Sequence, residues 1–115
     1  MAFEVEFTDE FEAWWNGLDE EEQDSVAYSV SLLEERGPAL RRPHVGTLMG
    51  SRYANMKELR VQHHGRPYRI LFVFDPRRVA LLLLGGDKTG KNRWTADAIA
   101  RADGLYTAHL AELEG

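Results

Sequence analysis

Phe3, Val5 and Phe7 alternate with Glu4 and Glu6 at the start of the chain, the period-two pattern of a half-buried strand. Thr8 can then cap a helix in which Phe11, Trp14, Trp15 and Leu18 recur at i, i+3, i+4 and i+7. These large side chains make one apolar stripe, so both tryptophans belong to a core. Asp19-Glu20-Glu21-Glu22 opens a second helix: Asp19 and Glu22 form an Asp-x-x-Glu variant of the capping box, and carboxylates suit the positive helix end. Val26, Val30 and Leu33 supply its buried face. Gly37-Pro38 ends it, because glycine accepts the left-handed turn after a helix and proline cannot continue one.

Residues 39–55 mix turn formers with scattered apolar positions and read as an extended connection with room for a short strand. Three strand candidates follow, Asn55 to Gln62, Tyr68 to Phe74 and Val79 to Leu84. They are joined by His63-His64-Gly65-Arg66-Pro67 and Asp75-Pro76-Arg77-Arg78, short polar segments with turn chemistry that predict an antiparallel meander. The second and third are almost wholly apolar, as in the middle of a sheet covered on both faces. From Ala96 to Leu113, Ile99, Ala102, Tyr106 and Leu110 fall at helical spacing. The expected architecture is α+β, a small domain spanning residues 1–115. In it a curved antiparallel sheet of four to five strands carries two N-terminal helices and a C-terminal helix, the helices packed on one side.

A chain of 115 residues with 43% apolar and 29% charged residues suits one modest core. The acidic, strand-like N-terminus is unlike a signal peptide, and the apolar run Val79 to Leu84 is too short to span a bilayer, so the expected location is the cytoplasm, with no membrane partner. There is no cysteine for disulfides or thiolate sites, and His44, His63, His64 and His109 fall into no spaced metal-ligand pattern. His63 and His64 read as turn residues. The net charge of −5 hides a division along the chain: residues 1–40 hold 12 acidic and 1 basic residue (−11), residues 41–94 hold 3 and 12 (+9), and residues 95–115 hold 4 and 1 (−3). A cationic middle between acidic ends is the pattern of a protein that presents one surface to an anion.

The segment Gly85 to Asn92, GGDKTGKN, is one residue from the phosphate-binding loop G-x-x-x-x-G-K-[ST]. Asn92 lacks the magnesium-binding hydroxyl, and the remaining 23 residues leave no room for the parallel strands of a nucleotide fold. A different anion must explain the lysines. Alternation along Met56 to Val61 puts Glu58 and Arg60 on one strand face and Lys57, Leu59 and Val61 on the other. A hairpin would bring Arg69 near Arg60 or Lys57, with Lys88 and Lys91 just beyond the adjoining strand. Such a patch suits metal-independent, cofactor-free RNA cleavage, in which the 2′-hydroxyl attacks the adjacent phosphorus and fixed cations stabilise the added charge. Glu58 is then the available base, and Arg93 and Trp94 flank the patch. Trp94 could stack on a base or pack on the sheet.

GSRYANMKELR, YRILFVFDPRRVALLLLGGDKTGKNRW and FTDEFEAWWNGLDEEEQ together resemble the RelE/HigB-like toxins of type II toxin–antitoxin systems over nearly the whole chain. The resemblance implies helices on a curved antiparallel sheet, a ribosome-dependent mRNA interferase, and a cognate antitoxin, often of helix-turn-helix type, that masks the site. DNA would be met only through the antitoxin. Carried over residue by residue, it implies Glu58, Arg60, Arg69, Lys88 and Lys91; the expected site then has Glu58, Arg60, Arg69 and Lys88 in catalysis and Lys57, Lys91, Arg93 and Trp94 in RNA binding. A second class is implied by other members of the fold: a non-catalytic protein, either an antitoxin-binding corepressor or a gyrase inhibitor.

Overall fold

The computed structural model describes residues 2–87 and 94–115. Strands β1 (Val5–Phe7), β2 (Val45–Thr47), β3 (Lys57–His63), β4 (Arg66–Phe74) and β5 (Ala80–Asp87) form one sheet in the order β1-β5-β4-β3-β2. From β2 to β5 the pairing is the antiparallel meander that the turns predict. β1 departs from the antiparallel expectation and makes the sheet mixed, Val5 pairing with Ala80 and Phe7 with Leu82 in parallel. The reason is the crossover. Helices α1 (Asp9–Asn16) and α2 (Glu20–Arg36) carry the chain across the sheet to its β2 edge, so the first strand is left beside the last.

Local chemistry sets the helix ends. Thr8 accepts a hydrogen bond from Phe11 N at 3.0 Å and donates to Leu83 O at 2.7 Å, which starts α1 and pins it to β5. Asp19 and Glu22 exchange 2.8 Å hydrogen bonds with each other's backbone N–H groups, completing the expected capping box of α2. Gly37 ends α2 at φ +55°, and the ring of Phe3 occupies the space a side chain there would need.

The apolar strands explain where the third helix goes. Tyr68, Ile70 and Phe72 on β4, with Ala80 and Leu82 on β5, pack beneath α1 and α2 with Phe11, Val26 and Leu33. Alternation sends Leu71, Val73, Leu81 and Leu83 to the opposite face. Leaving those four in water would forfeit about 1.5–3 kcal/mol each. Helix α3 (Ala96–Glu114) covers them with Ala102 and Tyr106, so the helices divide between the two faces instead of sharing one. Leu71 faces Leu84 while Phe72 faces Leu82, a register shift that inserts an extra residue and adds twist.

The β4–β5 turn closes around Asp75, whose side chain is fully buried. Its carboxylate accepts from Arg77 Nη2 at 2.7 Å, from His109 Nε2 at 2.9 Å, and from the backbone N–H groups of Arg77 and Val79. Arg77 also reaches Glu6 at 2.8 Å, so one network joins β1, the turn and α3. Burial pushes the Asp75 carboxyl up, and the donors from His109, Arg77 and Val79 outweigh it and hold it below its ordinary value. A depressed native value means that Asp75 contributes stability above the unfolded value near pH 4, lost as pH falls through the native one. Asp75→Asn should therefore be less stable at pH 7 and lose less on acidification below pH 4, as read from urea midpoints against pH. Gly85 is a second sensitive position, because a Cβ there would meet the Trp14 ring. Gly85→Ala should lower unfolding free energy by about 1–3 kcal/mol in the same titration at pH 7.

Candidate functional site

The face under α3 changes character toward the hairpin end of the sheet. Glu58 and Arg60 on β3 point to this face, and Arg60 pairs in register with Arg69 on β4. Glu58 keeps only 7% of its side chain exposed. Its Oε2 accepts from Arg69 Nη1 at 2.7 Å and from Arg60 Nε at 3.2 Å, while Oε1 accepts from the Trp94 indole N–H at 2.9 Å. Three donors from three parts of the chain thus meet one buried carboxylate, the condition under which burying a charge is tolerable.

A missing side chain makes room for Arg60. Gly46 on β2 lies opposite Glu58, and a Cβ at 46 would collide with the Arg60 guanidinium. Gly86 on β5 lies opposite Arg69. The Arg60 side chain is 36% exposed and that of Arg69 20%, and neither guanidinium makes a further hydrogen bond among the described residues. Arg69 Nε is buried without a partner there. Two guanidinium groups against one carboxylate leave a net positive, pre-oriented set of N–H donors, which is suited to a phosphate.

Of the residues singled out in the sequence, Glu58, Arg60 and Arg69 come together. Trp94 joins them from below: it is buried, and its ring belongs to the apolar cluster with Leu71, Leu83 and Tyr106. These are the surroundings of a residue packed on the sheet. Lys57 points to the other face, as strand alternation requires, and lines a groove of about 330 Å³ with Pro38, Arg41 and Arg42. Lys88, Lys91 and Arg93 lie outside the described residues. The first residues of GGDKTGKN, Gly85 to Asp87, are strand and not loop.

Asp103 escaped the sequence reading. Buried on α3, it accepts from Ser51 Oγ at 2.5 Å and Arg52 N at 3.0 Å, fastening the segment before β3 to the helix. A polar residue on the inner face of a helical pattern was the available signal. The described helices include none long and apolar enough to cross a membrane.

A five-stranded sheet with two helices on one face and one on the other is the fold also seen in solved RelE structures. The isolated E. coli RelE toxin matches with a TM-score of 0.59 at 14% identity, covering 86% of this chain and 95% of that one. A chain of the archaeal RelE–RelB complex from Pyrococcus horikoshii OT3 matches at 0.55 and 16%, covering 76% of this chain and 96% of that one. At such identities the likeness is one of fold. Closer relationship comes from sequence. The family model "Phage derived protein Gp49-like (DUF891)" matches residues 13–107. Two Mycobacterium tuberculosis proteins are similar: "Putative toxin HigB2", 48% identical over 104 residues, and "Putative toxin HigB3", 46% identical over 105. The match covers 89% of this chain and 52% of HigB2, and 90% of both this chain and HigB3, so the chain spans about half the length of the first relative. The chain belongs to the Gp49-like family of HigB/RelE-type proteins.

Removing the shared acceptor should be costly. Glu58→Ala would strand the Arg69 charge and the Trp94 N–H in a buried place, and should destabilise the fold by about 3–5 kcal/mol in urea unfolding. Gly46→Ala should displace the flexible end of Arg60 and cost about 1 kcal/mol, the loss of its hydrogen bond to Glu58, in the same unfolding titration.

Proposed function

We propose that residues 1–115 act as the toxin domain of a type II toxin–antitoxin system, a cytoplasmic mRNA interferase that cuts messenger on the ribosome. The carrying observation is the pair of arginines, Arg60 and Arg69, held by buried Glu58 with N–H groups to spare. The HigB names of the two relatives and the +9 charge of residues 41–94 support the same reading.

The substrate brings its own nucleophile. The RNA 2′ oxygen attacks the adjacent phosphorus, the bond to the 5′ oxygen breaks, and the ends left are a 2′,3′-cyclic phosphate and a 5′ hydroxyl. Arg60 and Arg69 meet the negative charge that builds on the phosphoryl oxygens, and because Glu58 fixes them beforehand they need not reorganise. Lys88, Lys91 and Arg93 supply further positive charge for the RNA phosphates. With both its oxygens receiving hydrogen bonds, Glu58 serves as the anchor of the arginines instead of the base, so the 2′ proton passes to water and the leaving 5′ oxygen takes one from solvent.

The partner is a cognate antitoxin, of helix-turn-helix type, covering the arginine patch with acidic residues. The RelE–RelB complex among the structural neighbours is the precedent. The occupied carboxylate also favours a second reading, a protein that binds through the same cations without cutting.

One experiment separates the two. The protein is induced briefly in a bacterial host beside Arg60→Ala, and messenger 5′ ends are mapped. New ends inside translated frames, reduced about 10²–10³-fold by the substitution, are the expected result. Arg60 is partly exposed, so the variant should keep the wild-type thermal midpoint to within a few degrees. A folded variant that cuts as well as wild type would sink the assigned site, whereas growth arrest with intact messenger would move the assignment to the binding protein.

A further inference from the structure

At the tip of the β3–β4 hairpin, on the face opposite the arginines, Glu21, His63 and His64 each place one possible metal-ligand atom within 4.8 Å of the others. Adjacent strand residues normally point to opposite faces. Here His64 at φ +49° and Gly65 at φ +78° form the turn, which swings His64 back beside His63, ring centroids 4.3 Å apart. Helix α2 supplies the carboxylate: Glu21 Oε2 sits 3.2 Å from His64 Nε2.

The surroundings sort the possible ligands. His63 is buried, and its Nδ1 shares a 2.8 Å hydrogen bond with Ser25 Oγ one helical turn beyond Glu21. That contact fixes the ring and leaves Nε2 for another partner, as outer contacts of metal-bound histidines do. Glu22 is already committed to the Asp19 backbone and the Tyr68 hydroxyl. Glu21 and His64 have side chains 78% and 71% exposed, free to move. On a tetrahedral zinc ion, donors about 2.0–2.1 Å from the metal lie about 3.3 Å from one another. Closing from 4.8 Å is within reach of rotamer changes in the two exposed side chains.

We propose that Glu21, His63 and His64 bind a borderline divalent cation, Zn²⁺ by their chemistry, with a fourth position left to water. Two imidazoles and one carboxylate are the donor set that favours zinc over magnesium or calcium. The ion clamps the start of α2 to the hairpin tip. Arg60 and Arg69 lie three residues from that tip on each strand, so the clamp stiffens the hairpin that presents them. The site stands independently of the toxin reading.

The test is calorimetric titration of the tag-free full chain with ZnCl₂, beside Glu21→Gln and His64→Ala. Both substitutions are at exposed positions, so the folded state survives them, which a change at buried His63 does not guarantee. The expected result is one zinc per chain, weakened at least about tenfold by each substitution, and a thermal midpoint that rises with zinc in the wild type and stays put in the variants. MgCl₂ should move none of them. No zinc binding, or equal binding by wild type and both variants, overturns the site.

Discussion

The buried carboxylate of Glu58 is the constraint around which the cationic end of this protein is organised. A charged group with so little exposure needs donors, and Glu58 draws them from β3, from β4 and from the segment that leads into α3. Each donor is placed by something else. Hairpin register sets Arg60 against Arg69, the missing side chain of Gly46 lets Arg60 lie across β2, and the apolar contacts of Trp94 carry its N–H to Oε1. The arginines are thereby paired on one side and open on the other, which is what an anion site requires.

A second buried carboxylate, Asp75, makes the contrast clear. Its acceptor positions are filled by Arg77, His109 and two backbone N–H groups at the tight β4–β5 turn. Arg77 is itself shared with Glu6. The result is a joint between β1, the turn and α3. The two carboxylates use the same chemistry, but at Glu58 the two guanidinium groups keep N–H donors that no described residue takes up.

Much of the fold is legible in single residues. Thr8, Asp19 with Glu22, and Gly37 mark helix ends through hydrogen bonds within four residues of themselves, and the two polar turns set the meander because turn geometry is equally local. Glu58 and Arg60 share a face because a strand alternates. Less legible were the pieces decided by distant segments. β1 runs parallel because of the path of the crossover, and Trp94 is buried because α3 goes to the far face. The pairing of Glu21 with His63 and His64 brings together residues more than forty positions apart.

What the sequence determined by itself was the set of elements, their apolar faces and the presence of a cationic middle, all of which follow from short-range steric and hydrogen-bonding rules and from side-chain period. What only the tertiary structure decided was the function of individual charges. Lys57 and Glu58 are neighbours in the chain, yet one lines an open groove and the other anchors the site. His63 and His64 are neighbours as well, and a left-handed turn residue puts them side by side instead of on opposite faces. The physical reason is that a charge acquires its role from the partners that burial imposes on it, and those partners are chosen by the packing of elements remote in sequence.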